Sequence, residues 1–512
     1  MPTDIEPELP ATCDVLIVGG GIVGCTFARL LVDAGLRVVV IDAGAQHSAR
    51  VGENLKNFYN YQNDTDQFGG VVRGLMHPTS VAVSSGQPFT RNALNPRQRR
   101  SRNLPGAVVA YALGGMAIHW TCATPRHHPT AERMDCIGDA EWERLYSEAE
   151  RRLVCRTDVH HPSLRHQAIK AFLHSAGYPA QDTPLAAERL SADYVRYTGA
   201  DTVLGELAGP GLHERLTILS EHCLRELRHE GGQVRSAVVR NLRTRAEQEV
   251  SAGAFVVSAG WVHTAQLLWT SDIHRGEGSA LGRYLTDHSF AACRIVLGAG
   301  LVDAVRDLAD ASGVDVDGGR FALPIPMNDP PPHLFMPLTE ERRWQGLIFR
   351  EAFQFDPLTP TIDTRLILDL KWFGAIDPQR DNHMTFNNDV HDRLGLPQPT
   401  FHFALSAADQ QRVGAMTAHM SEVAELLGDY LDGATPFHPP LGASTHTMGA
   451  TRLGARDDGT SVADPSSRVW GFDNLYVGGN NVIATANAAN PTLTSVALAI
   501  KGAEALIAGT SR

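Results

Sequence analysis

The stretch CDVLIVGGGIVGCTFARLLVDAGLRVVVIDA, residues 13–43, decides the fold of this protein. It starts with an apolar run that leads into a cluster of glycines. Apolar residues then recur about every 3.6 residues, the period of an α-helix, and a second apolar run ends the stretch. This succession predicts a strand, a tight turn, a helix and a second strand, which together form a βαβ unit. The two strands of such a unit lie in a parallel sheet.

The glycines of this unit carry a binding signal. Gly19, Gly21 and Gly24 form G-x-G-x-x-G, which allows a tight turn and lets the backbone approach a pyrophosphate at the start of the helix. Asp42 closes the second strand 18 residues after Gly24, where its carboxylate can accept hydrogen bonds from ribose hydroxyls. The unit therefore predicts a dinucleotide cofactor, and it leaves open whether this is FAD or a nicotinamide. Its position at the start of a long chain that returns late to the same domain favours FAD.

Length and composition exclude several classes of protein. The 512 residues include 43% hydrophobic and 20% charged residues without a biased tract, which is typical of a globular protein with two or three domains. Lys and Arg number 45 against 57 Asp and Glu, a net charge of −12, which disfavours nucleic acid as a partner.

The first residues and the cysteines bear on the compartment. Residues 1–14 are acidic, contain prolines and lack the apolar run of a secretory signal, so we expect a cytoplasmic location. The longest apolar stretches, around residues 15–23 and 38–41, are far shorter than the ~18 residues of a membrane span, so we expect no membrane partner. The seven cysteines are scattered without a CxxC pair, which argues against disulfides and against a metal site.

Changes of pattern along the chain predict two discontinuous domains. Residues 51–103 are polar and turn-rich, residues 139–154 have helical spacing, and residues 216–260 indicate a short meander that returns to the parallel sheet. Residues 300–440 are richer in proline and contain the alternating run TIDTRLILDLKWF, which indicates an antiparallel sheet. The fold class is α/β, with a Rossmann-like nucleotide-binding domain and a substrate domain with a mostly antiparallel sheet. We assign residues 1–120, 215–297 and 440–512 to the first domain, and residues 121–214 and 298–439 to the second.

A histidine beside a tryptophan gives the next signal. The stretch LGGMAIHWTCATPR, residues 113–126, joins a glycine pair to His119, and composition alone favours a buried, hydrogen-bonded histidine there. The stretch resembles the flavin-attachment region of the pyranose oxidases, members of the glucose-methanol-choline (GMC) oxidoreductase family. The resemblance extends to further stretches of both domains: GENLKNFYNYQNDTDQF, DAEWERLYSEAE, WFGAIDPQRDN, LPQPTFHF, DPSSRVWGFDNLYVGG and NPTLTSVALAIK.

The resemblance implies the GMC fold, FAD as cofactor and a set of cofactor residues. His119 becomes the candidate for a covalent bond to the flavin 8α-methyl group, although Ala117 and Ile118 depart from the family's smaller, more polar pair. FAD binding does not depend on that bond. Thr121 would lie beside the isoalloxazine ring. The other residues that the resemblance assigns to the cofactor are Cys223, Asn480 and Thr492.

Two motifs near the end of the chain resemble the oxidising site of the family. HTMGATRLG begins at His446 and follows the family pattern H-x-x-G-T-x-R-M-G, with Ala450 for Thr and Leu453 for Met. NPTLT begins at Asn490, where the family has either a second His or an Asn. A neutral imidazole is a natural base for a hydroxyl proton, so we predict His446 as the base. Asn490 is predicted to donate a hydrogen bond to the substrate oxygen.

The segment LIFREAFQF, residues 347–355, resembles the mobile active-site loop of the pyranose oxidases. Glu351 and Phe353 hold the places of its acid and its phenylalanine, and Leu347 replaces a sugar-binding glutamine. An apolar residue there suits a bulkier substrate. We therefore predict oxidation of a glucosyl unit at carbon 3 or carbon 2, in a glycoside such as a C-glucoside, as in the bacterial branch of these enzymes.

Several alternatives stay open from the sequence. Free D-glucose is the alternative substrate, and a sterol or a simple alcohol is disfavoured by the pyranose-oxidase stretches. A nicotinamide-dependent dehydrogenase and a non-catalytic flavoprotein are the alternatives from other classes. The electron acceptor is predicted to be O2, with hydrogen peroxide formed, or a quinone. The short chain favours a monomer or a dimer.

Overall fold

A computed structural model describes most of the chain. The described residues are 8–63, 65–79, 95–209, 211, 213–274, 276, 278–314, 323–350, 362–431 and 435–510. Glu351 and Phe353 lie outside the described residues.

The described chain contains both helices and strands. The α-helices are α1 Ile22–Asp33, α2 Tyr59–Asn63, α3 Thr65–Leu75, α4 Asp139–Leu153, α5 Leu164–Ser175, α6 Ala200–Leu204, α7 Gly260–Thr270, α8 Ala299–Ser312, α9 Ala407–Leu427 and α10 Thr492–Thr510. Short 3-10 helices are Leu55–Asn57, Gly115–Ile118, Gly205–Ala208, Thr364–Leu366 and Asn480–Val482. The strands are β1 Thr12–Val18, β2 Val38–Ile41, β3 Met76–Pro78, β4 Val108–Ala110, β5 Cys155–Arg156, β6 Gln181–Asp182, β7 Leu185–Arg189, β8 Val195–Tyr197, β9 Leu216–Leu219, β10 His222–Glu230, β11 Gln233–Asn241, β12 Glu247–Val257, β13 His288–Leu297, β14 His333–Met336, β15 Trp344–Phe349, β16 Ile367–Ala375, β17 His383–Thr385, β18 Thr400–His402, β19 Gly428–Tyr430 and β20 Leu475–Val477.

The first large sheet is built on the βαβ unit. Its order is β10-β11-β12-β1-β2-β9, and β20 pairs with β12. The strands β12, β1, β2, β9 and β20 run parallel, whereas β10, β11 and β12 form an antiparallel meander. Val15, Leu16 and Ile17 of β1 are fully buried, as expected for a parallel strand covered on both faces. The predicted βαβ unit and the predicted meander are confirmed.

Two helices far apart in the chain cover this sheet. α1 packs against α10, and α10 also packs against α4. The apolar residues of α1 and α10 belong to one core cluster with β1, β2 and β12. The first and last elements of the chain therefore share one core.

The second large sheet is antiparallel, with the order β19-β13-β16-β15-β14-β6. All nine residues of β16 are buried. Leu368, Leu370 and Trp372 of β16 pack with α9, while Phe373 belongs to a cluster on the other face. Residues 367–373 of the alternating run thus lie in a central strand that is covered on both faces. The predicted combination of a parallel α/β sheet and an antiparallel second sheet is confirmed.

Two details differ from the expectations drawn from sequence. The segment 51–103, expected to be irregular, contains α2, α3 and β3. β13 lies within the range 215–297 assigned to the first domain, yet it pairs with β16 in the second sheet. The sheet to which a strand belongs depends on its pairing with strands far away in the sequence. The hydrophobic pattern of the strand itself does not specify that pairing. The division of the chain into two domains stays a prediction.

α10 bears on the expectation that no stretch is long enough for a membrane span. Among the described residues it has that length and an apolar enough composition, with a mean hydropathy of 1.3. Of its most apolar 18-residue stretch, 61% is buried inside the protein. The core helix of a globular protein has the same length, composition and burial. The expectation overlooked this helix because Lys501 and Glu504 interrupt its apolar residues.

Candidate active site

The turn between β1 and α1 requires glycine at two positions. Gly19 has a φ of +104°, and a Cβ there would lie 2.4 Å from the Ser258 carbonyl oxygen. A Cβ at Gly24 would lie 1.9 Å from the Gly19 carbonyl oxygen. These distances are shorter than any real Cβ contact, so the two glycines allow β1, α1 and the end of β12 to pack closely.

Gly21 has a different environment. Its φ is −71°, and an added Cβ would meet nothing closer than the Gly114 carbonyl oxygen at 3.8 Å. The protein itself therefore leaves space beside this residue, which lines a cavity. No side chain caps the N-terminus of α1, whose first residue, Ile22, also lines the cavity. A helix N-terminus with space at its glycine fits a pyrophosphate.

Asp42 follows β2 and is held by two backbone donors. The amides of Gly20 and Gly44 each donate to its carboxylate at 2.7 Å. Burial raises the pKa of Asp42 to about 6, and the two backbone hydrogen bonds oppose that rise. The carboxylate lines the same cavity as Gly21, which fits the predicted ribose contact.

The cavity has a volume of about 490 Å³ and brings most of the sequence-predicted residues together. Those that line it are Gly19, Gly21, Asp42, His119, Thr121, Cys223, Leu347, His446, Asn480, Asn490 and Thr492. Gly24 is not among the lining residues and acts in packing instead. Residues from both ends of the chain and from both large sheets thus surround one space.

His119 follows a short 3-10 helix in the cavity wall. Gly114, with a φ of +102°, starts that helix, and its amide donates to the Gly20 carbonyl oxygen at 3.0 Å. This contact fixes the segment of His119 to the dinucleotide turn. The histidine is only 2% exposed, and burial lowers its pKa to about 4, so the imidazole is neutral at physiological pH.

The backbone of His446 is held by a buried carboxyl group. The His446 amide donates to Ser444 Oγ at 3.1 Å, and the Ser444 hydroxyl donates to Asp287. Burial raises the pKa of Asp287 to about 6. Thr445, between Ser444 and His446, has a φ of +61°, which is strained for a β-branched residue. The hydrogen bonds to Asp287 therefore stabilise an unfavourable backbone next to the predicted base.

The side chain of His446 lies between a histidine and an amide. Its Nδ1 is 2.9 Å from Nδ1 of His288, and its Nε2 is 3.4 Å from Nδ2 of Asn490. Gln345 donates to Oδ1 of Asn490 at 2.8 Å, which leaves the Asn490 amide nitrogen facing His446. Desolvation lowers the pKa of His446 well below its ordinary value, and His288 and Lys371 lower it further. A neutral imidazole next to an amide donor can accept a hydroxyl proton while the amide binds the oxygen.

One face of the second sheet forms the opposite wall. Leu347 of β15 lies opposite Lys371 of β16 in register, and both line the cavity. Phe290 and Phe373 stack with ring centroids 4.9 Å apart and an interplanar angle of 14°. The Nζ of Lys371 lies 5.1 Å from the centroid of the Phe349 ring. The described part of this wall is therefore mainly apolar and aromatic, and Lys371 adds a cation to it.

Sequence reasoning missed several residues of this arrangement: Gln345, Phe349, Lys371 and Phe373, together with Asp287, His288 and Phe290. They lie on β13, β15 and β16 or directly before β13. Phe349, Lys371 and Phe373 stand within stretches quoted from the sequence, but no role in the site was predicted for them, and the other four stand in none of those stretches. Within the described ranges, no group of three or more His, Cys, Asp or Glu side chains could hold a metal ion.

The glycine cradle, the helix N-terminus and Asp42 fit a dinucleotide, and the neutral His446 with Asn490 fits alcohol oxidation beside it. Fold and cavity thus define a dinucleotide-dependent oxidoreductase. Residues 378–499 match the family model described as GMC oxidoreductase, and residues 17–62 match the NAD(P)-binding Rossmann-like domain.

Known proteins make the class more specific. The chain is 36% identical to a pyranose 2-oxidase from Lyophyllum shimeji, over 96% of this chain and 91% of that protein. It is 31% identical to a C-glycoside 3-oxidase from Microbacterium trichothecenolyticum, over 96% of each chain. A structure of formate oxidase from Aspergillus oryzae RIB40 is similar in fold, with a TM-score of 0.69 at 14% identity, covering 99% of this chain and 100% of that chain.

The protein belongs to the GMC oxidoreductase family and is of its pyranose-oxidase type. It is an enzyme, an oxidoreductase whose cofactor is FAD. The resemblance described from the sequence is confirmed, and a nicotinamide-dependent dehydrogenase is set aside.

Proposed function

We propose that the enzyme oxidises a secondary ring hydroxyl of a glucopyranosyl unit, at carbon 3 or carbon 2, to a ketone, and that this unit belongs to a glycoside such as an aryl C-glucoside. The observation that carries the proposal is the pair formed by His446 Nε2 and Asn490 Nδ2, 3.4 Å apart in the wall of the cavity that the dinucleotide turn also lines. The names of the relatives, pyranose 2-oxidase and C-glycoside 3-oxidase, support a sugar as substrate.

The proposed reaction breaks an O–H bond and the adjacent C–H bond and forms C=O. The hydroxyl proton goes to Nε2 of His446, whose neutral form has a lone pair for it. FAD supplies the two-electron acceptor for the hydride that leaves the sugar carbon. The amide of Asn490 donates to the substrate oxygen and orients it as charge develops there. O2, with hydrogen peroxide as its product, or a quinone is the final electron acceptor.

The preference for a glycoside is supported by the cavity wall. Leu347, Phe290, Phe349 and Phe373 give an apolar surface on which an aromatic aglycone can pack. Free glucose has no apolar group of that size, and Leu347 offers its hydroxyls no hydrogen bond. Lys371 adds a cationic group to the same wall, with its Nζ 5.1 Å from the centroid of the Phe349 ring.

Free D-glucose is a second candidate substrate, because the pyranose 2-oxidase described above has the higher identity of the two relatives, 36% against 31%. Anaerobic mixing of the enzyme with glucose and, separately, with an aryl C-glucoside distinguishes the two. Faster bleaching of the flavin by the C-glucoside supports the glycoside proposal, and faster bleaching by glucose overturns it. If neither sugar bleaches the flavin, the proposed substrate class is wrong.

The substitution Leu347→Gln is expected to shift the preference toward free glucose. A glutamine offers a hydrogen bond to a sugar hydroxyl and removes apolar contact from an aglycone, so the ratio of kcat/KM values should change by roughly tenfold. Ile348→Val is the matched control, because Ile348 is the next residue of β15 and packs in the core with α9. An unchanged ratio in Leu347→Gln would remove Leu347 from substrate selection.

The pH dependence of flavin reduction follows from the lowered pKa of His446. A base with the ordinary histidine pKa of about 6.5 would be half protonated at that pH. Since the pKa of His446 lies well below this value, its neutral form persists, and the reduction rate should stay level from about pH 8 to about pH 6.5 and fall only below.

Among the residues that the structure describes, the charged and titratable groups that act on His446 are His288, Lys371 and, through Ser444, Asp287. Anaerobic stopped-flow measurement across this pH range checks the prediction, with the flavin band recorded at each pH to establish that FAD is retained. A rate that halves at or above about pH 6.5 would contradict it.

We also propose that His119 carries FAD covalently. Its lowered pKa keeps the ring neutral, so that one ring nitrogen has a lone pair that could bond to the 8α-carbon of the flavin. The new bond would replace a C–H bond of the methyl group and the N–H bond of the imidazole, and the two hydrogens with their two electrons would leave through the flavin to O2 or a quinone. Denatured enzyme is then expected to retain its flavin on the peptide that contains His119, as measured by mass spectrometry. His119→Ala should release all flavin on denaturation, whereas His263→Ala, a change at another histidine of the cavity wall, should not. Free flavin from the unsubstituted enzyme would show that the bond is absent.

A further inference from the structure

His288 lies behind the predicted base and is not part of any motif. It is the first residue of β13, is 1% exposed, and packs edge-on against His446 with ring centroids 4.8 Å apart. The two Nδ1 atoms are 2.9 Å apart, so one ring donates and the other accepts. Which ring donates decides where the proton of His446 resides.

The orientation of the Asn487 amide answers this question. Its Nδ2 donates to the carbonyl oxygen of Thr485 at 3.1 Å and to the sulfur of Met448 at 3.2 Å. A carbonyl oxygen only accepts, so the amide nitrogen must face Thr485 and Oδ1 must face the other way. There Oδ1 lies 3.0 Å from Nε2 of His288. Nε2 of His288 therefore carries a hydrogen and donates to Asn487.

The remaining protons follow in order. Burial lowers the pKa of His288 to about 4, so its ring is neutral and has a single N–H, the one at Nε2. Its Nδ1 is then an acceptor, and Nδ1 of His446 donates to it. Because the His446 ring is also neutral, its Nε2 has no hydrogen and presents a lone pair toward Asn490.

The opposite pair of tautomers, with the hydrogen of His446 on Nε2, cannot satisfy all of these hydrogen bonds. If His446 had its hydrogen on Nε2, His288 would donate from Nδ1, and its bare Nε2 would face Oδ1 of Asn487. Turning the Asn487 amide would relieve that contact but would place Oδ1 against the Thr485 carbonyl oxygen. Either way, two buried acceptors would face each other without a hydrogen between them.

We propose that Asn487 and His288 act as positioning residues that fix the tautomer of His446, so that the lone pair on its Nε2 faces the cavity. The chain of hydrogen bonds runs from the Thr485 carbonyl through Asn487 and His288 to His446. The inference rests on the proposed function only where it uses His446 as the base. When His446 accepts a proton at Nε2, its Nδ1–H still donates to His288 and stabilises the imidazolium.

The proton positions can be measured without a substrate. In the holoenzyme labelled with 15N-histidine, the ring nitrogens of His446 are assigned by the signals that disappear in His446→Gln. We expect Nδ1 of His446 to be protonated and Nε2 to be unprotonated. A hydrogen on Nε2 and none on Nδ1 would overturn the proposal, whatever the substrate proves to be.

The kinetic experiment uses three variants of the holoenzyme. His288→Leu removes the acceptor and should slow flavin reduction at saturating sugar by about 10- to 100-fold, with little change in the sugar concentration for half-saturation. His288→Asn places an amide oxygen near the position of Nδ1 and should restore most of the rate. His160→Leu is the control for loss of a buried histidine, because His160 is 6% exposed and does not line the cavity.

A double-mutant cycle tests whether the residues act in series. Asn487→Leu should also slow reduction, and the double variant with His288→Leu should be no slower than His288→Leu alone. Each variant is accepted for comparison when its flavin band is intact. Equal rates in His288→Leu and the unsubstituted enzyme, or additive losses in the double variant, would overturn the proposal. If no sugar bleaches the unsubstituted enzyme, the proposed function fails, and the NMR experiment still decides the tautomer.

Discussion

The substitution His446→Ala is expected to slow flavin reduction by sugar about 10²- to 10⁴-fold, the range that a positioned general base contributes. The imidazole removed is the group whose Nε2 faces Asn490 and whose lowered pKa keeps it neutral. No other described side chain replaces it at that position, because His288 is on its far side, with its own ring turned toward Asn487. The measurement is anaerobic stopped-flow bleaching of the flavin band at saturating substrate.

FAD content should stay close to that of the unsubstituted enzyme in His446→Ala, because the dinucleotide turn is formed by other segments of the chain. His229→Ala is a suitable control, since His229 is an exposed residue of β10 whose ring contacts the Ser271 carbonyl oxygen and does not line the cavity. Its reduction rate should match that of the unsubstituted enzyme. A near-normal rate in His446→Ala would remove His446 from the reaction.

The second large effect is expected at the dinucleotide turn. Substitution of Gly24 and of Gly21 by alanine should each weaken FAD binding, for different reasons. At Gly24 an added Cβ would lie 1.9 Å from the Gly19 carbonyl oxygen, so Gly24→Ala forces β1 and α1 apart. Overpacking of this kind costs roughly 1–3 kcal/mol. We expect a lower Tm together with loss of FAD.

Gly21→Ala should weaken the binding of FAD without changing the stability of the apoprotein. Its φ of −71° is allowed for alanine, and the added Cβ would have 3.8 Å to its nearest protein atom. The new methyl group would instead occupy the space beside the helix N-terminus that fits the pyrophosphate. We expect the Kd for FAD to rise at least about tenfold, which corresponds to ~1.4 kcal/mol, with an unchanged Tm of the apoprotein.

Both variants are best measured in the His119→Ala background, where no covalent bond to the flavin can form. Gly70→Ala is the matched control, because a Cβ at this exposed glycine of α3 would meet nothing within 4 Å. It should keep FAD binding and leave the Tm equal or slightly higher. Normal FAD affinity in Gly21→Ala would show that the pyrophosphate lies elsewhere.

The parts of the molecule that could be predicted from sequence depend on short-range signals. The glycine turn and Asp42 lie within 30 residues of each other, so their spacing alone indicates their geometry. His446 and Asn490 were found because each begins a motif that resembles a known family. Both kinds of signal are local, and the cavity brings these residues together as expected.

The parts that were missed depend on the register of distant strands. Lys371 lies beside Ala292 of β13 and Leu347 of β15, and no sequence pattern specifies these pairings. A shift of one residue would turn Lys371 and Phe373 away from the cavity. His288 was missed for the same reason, since its role depends on the segment around His446, more than 150 residues later in the chain.

The packing of α1 against α10 has a consequence for the folding of the enzyme during its synthesis on the ribosome. At ~5–20 residues per second, translation of the more than 450 residues between α1 and α10 takes from about 20 seconds to about a minute and a half. Throughout that time α1 lacks α10, and β12 lacks β20, its parallel neighbour. The nascent chain must therefore keep an unfinished apolar surface from aggregating, and the cavity, which Thr492 and Ser495 of α10 line, is complete only after α10 has been made.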